Sequence, residues 1–197
     1  AMGLVQLLDE SENGKAANSY DFLLAGSADE ITPKLIQGEI DIAAVPVNLA
    51  SVLYSKTNGA LELVAVNALG VLYVVEKGGE SIQSLADLKG KTVSIGVAGS
   101  GVYFNAIDVL GVYGMTEDDI TPVYQNFSDS AESLKDGKID AAFIVAGAPT
   151  TAITDLSTGG QVYLVSIDDE HIDQLIAKSP YYSAYTVPAS TYGMPED

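Results

Sequence analysis

Leu35-Ile36-Gln37-Gly38-Glu39-Ile40-Asp41-Ile42-Ala43-Ala44-Val45 and Leu134-Lys135-Asp136-Gly137-Lys138-Ile139-Asp140-Ala141-Ala142-Phe143-Ile144 are two copies of one pattern. Gly38, Ile40, Asp41 and Ala43 occupy the places that Gly137, Ile139, Asp140 and Ala142 occupy in the second copy. Each copy ends an amphipathic stretch, stops at glycine and enters a short apolar run, which reads as helix, C-cap and strand. Residues that favour N-caps precede each helix: Ser27 and Asp29 in the first copy, Ser128, Asp129 and Ser130 in the second. A period this long, covering half the chain, does not suit a solenoid. It reads as two lobes of similar build.

Working outward, apolar runs at residues 21–24, 40–45, 61–66, 71–75, 92–97, 120–124, 139–145 and 162–166 are expected to be strands. Helical patterns at 3–9, 29–37, 49–57, 84–88, 102–113, 128–135, 150–156 and 169–177 alternate with many of them. Such alternation predicts an α/β fold, each lobe a mostly parallel sheet flanked by helices. Lobe one is expected over residues 1–80 and lobe two over 81–197, with a hinge near 78–92. There Gly78-Gly79 breaks a strand, a short capped helix follows and Thr92 opens a new strand. The absence of a low-complexity linker favours strands as the hinge.

Composition narrows the function. Hydrophobic residues make up 47% of the 197, enough to build a core, and no apolar run is long enough to cross a membrane as a helix. The formal net charge is −18, with 27 acidic residues against 9 basic ones, all of them Lys. A nucleic-acid partner is therefore excluded, because phosphate neutralisation needs a basic face. Without Arg there is no guanidinium fork to hold a carboxylate in a bidentate pair. Without Cys there is no thiol catalysis, disulfide or thiolate metal site.

In α/β sheets, ligands bind beyond the carboxyl ends of strands, and several such ends carry suitable residues. Ala98-Gly99-Ser100-Gly101 joins an expected strand to an expected helix, so free backbone N–H groups and the helix dipole would face an anion there. Gly99, Ser100 and Gly101 are the candidates, with Tyr103 and Asn105 in the first helical turns. Pro46 and Asn48 follow the first repeat's strand, while Gly147, Ala148 and Thr150 follow the second's. The repeat symmetry suggests that these two loops face each other across a cleft. Asn67, between two strands of lobe one, and Tyr73 complete the ligand-binding set.

Enzyme signatures are missing. The single His, His171, sits in Asp168-Asp169-Glu170-His171, which reads as a solvated helix start. No nucleophile elbow, zincin or kinase motif is present, so no catalytic residue and no metal ligand is assigned. No cofactor is expected.

Two family resemblances add to this reading. Residues 29–36 with Ala43-Ala44-Val45-Pro46-Val47-Asn48-Leu49-Ala50, Leu53-Tyr54 and Asn67 to Tyr73 resemble lobe one of ABC-transporter substrate-binding proteins of the nitrate, sulfonate and thiamine-precursor type. Gly96 to Gly101, Asp136 to Phe143, Ala146 to Thr150, Ser179-Pro180-Tyr181-Tyr182 and Val187 to Tyr192 resemble lobe two of the TAXI-type receptors of TRAP transporters. Both resemblances imply the type II periplasmic-binding fold and an extracytoplasmic, monomeric solute-binding protein that delivers its ligand to a membrane permease. They imply an amino or keto acid, or a related carboxylate, in the one case and an aromatic or sulfonated compound in the other. Relative to either family, lobe one's first strand is expected ahead of Ala1 and a return segment after Asp197. The abrupt opening Ala1-Met2-Gly3-Leu4 suits a processed or truncated start. The rival readings are an enzyme on the same two-lobed fold, of the prephenate dehydratase or hydroxymethylbilane synthase type, and a ligand-sensing regulatory domain. The bilane synthase needs a Cys for its cofactor, and there is none.

Overall fold

A computed structural model describes residues 4–25, 28–66, 71–76, 78, 81–158 and 162–193. The chain divides into two compact units, Ala1–Leu69 and Gly70–Asp197.

The first unit holds α1 (Val5–Glu12), α2 (Ala28–Gln37) and α3 (Val47–Lys56). Helix α2 ends where the repeat places its glycine. Gly38 takes φ +74°, its N–H donates to the Leu35 carbonyl at 3.2 Å, and the Glu39 N–H donates to the Lys34 carbonyl at 2.9 Å. This is a Schellman cap, with glycine in the left-handed conformation that other residues adopt only with strain. Leu49 and Leu53, one turn apart on α3, are buried.

The runs at 21–24, 40–45 and 61–66 do not become strands; among the described residues this unit has no ladder. Leu23, Leu24, Ile42, Leu63, Val64 and Val66 are exposed. An apolar run becomes a strand only when a partner takes its N–H and C=O groups, and alternation in the sequence does not supply that partner.

The second unit is built on one five-stranded sheet. Its strands are β1 (Val71–Glu76), β2 (Thr92–Ser94), β3 (Thr121–Val123), β4 (Ala141–Ala146) and β5 (Tyr163–Val165), in the order β3-β2-β4-β1-β5. β2 runs parallel to β3 and β4, while β1 runs antiparallel to β4 and β5. All but β1 therefore point the same way. Although the sequence reading assigns 71–75 to lobe one, β1 is hydrogen-bonded on both sides into this sheet.

Helices α4 (Gly101–Val112) and α7 (Asp169–Lys178) pack together, as do α5 (Phe127–Lys135) and α6 (Thr151–Ser157). The two pairs serve separate cores. Val74, Val93, Val109, Leu110, Ala141 and Phe143 belong to one core, and Val75, Leu134, Ala142, Ile144, Ile153 and Leu156 to the other. Strand β4 alternates between them, so a continuous apolar run is the sequence of a strand buried on both faces.

The second repeat copy has the same cap as the first. Gly137 takes φ +69°, its N–H donates to the Leu134 carbonyl at 3.0 Å, and the Lys138 N–H donates to the Ser133 carbonyl at 2.8 Å. Here the following run does become a strand. Ile139 is buried, and the Asp140 carboxylate accepts the Thr92 N–H at 2.8 Å. The N-cap of α5 is Asn126, which accepts the Asp129 N–H at 2.9 Å, and not the serines and aspartate downstream.

His171 does not lie on a purely solvated face. Its ring stacks on Tyr113 with centroids 3.6 Å apart and 8° between planes, and Nδ1 lies 2.7 Å from Asp168 Oδ1. Asp168 caps α7 and also accepts the Tyr113 hydroxyl at 2.7 Å. The Tyr113 hydroxyl, then His171, hold the Asp168 carboxyl well below the usual carboxylate range, at about 2.

Two outcomes follow. Asp140→Ala should cost about 1 kcal/mol in urea unfolding, whereas Asp41→Ala, at the same place in the first copy but with no ladder beside it among the described residues, should be near neutral. Because the folded-state pKa of Asp168 is depressed, its stabilisation is present above the unfolded value near 4 and is lost as pH falls toward about 2. Asp168→Asn should remove that part of the acid dependence in pH-resolved melts; an unchanged profile would refute the assignment.

Candidate functional site

The second unit has a topological switch point between β2 and β4. From β2 the chain passes through α4 to β3 on one side, then returns through α5 to β4 on the other. At such a point the loops leaving two neighbouring parallel strands diverge and open a crevice at the carboxyl edge of the sheet. The loops here are 95–100 after β2 and 147–150 after β4.

Loop 95–100 is shaped by its glycines. Gly96 takes φ +82°, and a Cβ there would meet the Val102 Cβ at 2.6 Å and Ser100 Oγ at 3.0 Å. Only glycine fits a turn this tight against the start of a helix. Gly99, at φ +78°, has open space around it. Ser100 is the N-cap of α4: its hydroxyl accepts the Tyr103 N–H at 3.2 Å, and its own N–H donates to the Val97 carbonyl at 2.9 Å. The sequence motif is thus confirmed as a strand, a glycine turn and a capped helix. Such a helix start favours anions through its dipole and its first N–H groups.

Tyr103 and Asn105 face other partners. The Tyr103 hydroxyl donates to Glu117 Oε2 at 2.9 Å. Buried Asn105 donates from Nδ2 to the Gly101 carbonyl at 2.7 Å and accepts the Tyr182 hydroxyl at 2.8 Å. The Tyr182 hydroxyl also lies 2.9 Å from Asp108 Oδ2, tying the segment after α7 to α4.

The second loop holds Gly147, Ala148 and Thr150, and its Ala148–Pro149 peptide is cis. Thr150 is the N-cap of α6 by position, but its side chain makes no cap hydrogen bond. Its N–H donates instead to the Tyr192 hydroxyl at 2.9 Å. That hydroxyl lies 2.8 Å from the hydroxyl of Tyr73. The antiparallel register pairs Val71 with Ala146 and Tyr73 with Ile144, so β1 starts beside the carboxyl end of β4. The structure therefore brings Tyr73 and Thr150 together through Tyr192. The sequence reading did not single out Tyr192; its only signal was the stretch Val187 to Tyr192 in the family resemblance.

Two candidates lie in the other unit. Pro46 is the N-cap of α3, and Asn48, in its first turn, accepts the Leu49 N–H at 2.9 Å. Asn67 lies outside the described residues. Among the described residues no cluster of His, Asp and Glu could hold a metal ion, and no helix is long and apolar enough to cross a membrane.

Residues 27–197 match the NMT1-like family. The chain belongs to that family.

Solved structures of other proteins share the fold. The periplasmic aliphatic sulphonate binding protein SsuA from Escherichia coli superposes with a TM-score of 0.58 at 21% identity, covering 84% of this chain and 55% of that one. The alkanesulfonate-binding protein SsuA from Xanthomonas axonopodis pv. citri, bound to MOPS, gives 0.58 at 20% identity over 84% and 55%. An ancestral arginine-binding protein bound to arginine gives 0.57 at 20% identity over 95% and 83%. The chain spans about half the length of the sulfonate-binding structures. Its fold class is that of the two-lobed periplasmic binding proteins, an open sheet flanked by helices.

Gly96→Ala should destabilise by about 2–4 kcal/mol, combining left-handed backbone strain with overpacking. Gly99→Ala should cost only about 1–2 kcal/mol of strain. Urea midpoints that rank the two the other way would overturn this account of the loop.

Proposed function

We infer that this chain is the ligand-capturing part of an extracytoplasmic solute-binding protein and that it is not an enzyme. The observation that carries the reading is the switch point of the second unit. Two loops diverge there, one opening a capped helix through Gly99-Ser100-Gly101, in a member of the NMT1-like family.

The ligand is a small anion. With no Arg in the chain, its carboxylate or sulfonate rests on the turn at Gly99, Ser100 and Gly101, facing the positive end of the α4 dipole, with Ser and Thr hydroxyls as neutral donors. Gly147, Ala148 and Thr150 line the neighbouring loop. Pro46, Asn48 and Asn67 supply the other lobe, and hinge closure between lobes traps the ligand. The closed form of the monomer is then read by a membrane permease. Sulfonates are favoured by the names of the sulfonate-binding structures. Amino and keto acids are favoured by the resemblance of lobe two to TAXI receptors, which would make the partner a TRAP rather than an ABC permease.

A thermal-shift screen with sulfonates, keto acids, amino acids and pyrimidines tests this. At one hundred times Kd, a ligand that binds only the folded state adds about 2.7 kcal/mol, or about 5–10 °C in Tm. A concentration-dependent rise with one anion class is expected. A flat response to every class from a folded sample would sink the reading.

A further inference from the structure

Tyr73 and Tyr192 form a pair whose protons do not balance. Each hydroxyl carries one proton and can accept two hydrogen bonds. The Thr150 N–H uses one acceptor position on Tyr192, and the contact between the two hydroxyls uses one proton. The other proton has no acceptor among the described residues. Both rings are buried, yet Tyr73 keeps 4% and Tyr192 7% of its surface, where the neighbouring Val74 and Val75 keep none. A buried donor left unmatched costs about 1–3 kcal/mol, and a water or a ligand oxygen would supply the acceptor that the described residues do not.

Position narrows the choice. The pair sits near the carboxyl end of β4 and against the N-cap of α6, in the core it shares with Ile144 and Ile153, where loop 147–150 leaves the sheet. The Thr150 amide donates to the Tyr192 hydroxyl, and either hydroxyl can donate in the contact between the two tyrosines; donation onward from Tyr192 to Tyr73 makes a head-to-tail chain in which each bond polarises the next, and leaves the free proton on Tyr73. Burial pushes the Tyr73 hydroxyl far above its ordinary pKa, so it keeps its proton at neutral pH.

We propose that the Tyr73 hydroxyl, oriented by Tyr192, donates this unspent proton in a hydrogen bond to the anionic oxygen of the bound solute. Tyr73 is then a ligand-contacting residue and Tyr192 a positioning residue. The proposal rests on the anion-binding reading given above. It adds a neutral donor that serves a carboxylate or sulfonate in a chain without Arg, through an O–H to O⁻ bond stronger than a neutral one.

Calorimetric titration of the intact chain with ethanesulfonate and with propionate provides the test, using wild type, Tyr73→Phe and Tyr192→Phe. Phenylalanine keeps the ring packing and removes only the hydroxyl. Tyr73→Phe should weaken the anion that binds by roughly tenfold to a hundredfold, the worth of a hydrogen bond to a charged group. Tyr192→Phe should weaken it less, and the amide analogues, ethanesulfonamide and propionamide, should distinguish the three proteins poorly. The chain has no Trp, so its near-ultraviolet difference spectrum reports tyrosine. A ligand-induced shift present in wild type and absent in Tyr73→Phe is the signature that a purely structural role would not produce. Wild-type binding that both variants retain within twofold would overturn the proposal and leave the anion site standing. Wild type that binds neither probe would overturn both.

Discussion

The burial of β4 on both faces is the constraint from which the second unit follows. A strand with apolar side chains on each side has to be covered twice, and only a sheet with helices on both faces does that. Phe143 and Ala141 enter one core, while Ile144 and Ala142 enter the other. Each core recruits its own helix pair. Because β4 lies between β2 and β1, it is paired along its whole length with β1 and at Ala141 and Ala142 with β2, and the whole unit takes its orientation from this one strand.

The site is a consequence of that arrangement. The helices that cover opposite faces have to leave β2 and β4 in opposite directions, and the divergence opens the carboxyl edge. Gly96 lets the chain turn against Val102 without a clash, which puts the α4 N-terminus at that edge. Antiparallel β1 brings Tyr73 to the same edge from the other direction. The start of a helix and two tyrosine hydroxyls thus gather near the carboxyl edge of one sheet. Donors of this kind are neutral, so under the proposed reading the strongly negative charge of the chain would not bar an anion at short range, where hydrogen-bond geometry dominates.

Much of this was legible in the sequence because much of it is local. The helices fall within a few residues of their expected places, since periodicity and caps are written in neighbouring residues. The strand, glycine turn and helix around Gly99 were legible for the same reason. Partnership was not. Nothing near Val71 says that it pairs with Ala146, and nothing near Leu63 says that its run stays outside a ladder. Tyr192 follows a stretch with no periodic signal, and its meaning lies in a contact with residues 73 and 150. His171 was read as solvated because its stacking partner, Tyr113, is distant in the chain, just past the end of α4.

The repeat separates the two kinds of information within one molecule. Both copies carry glycine at the same place and both form the same Schellman cap, down to the pair of hydrogen bonds. Both continue into an apolar run beginning with Ile and Asp. In one copy Asp140 meets the Thr92 backbone and the run becomes the central strand; in the other the run that follows Asp41 joins no ladder among the described residues. The cap needs only its own residues, so it forms in both settings. The strand needs neighbours on two edges and cover on two faces, so equal sequence does not yield equal structure. A repeat of this kind is evidence for the local motif it encodes, and evidence for a second sheet only where the partners of that sheet are also in place.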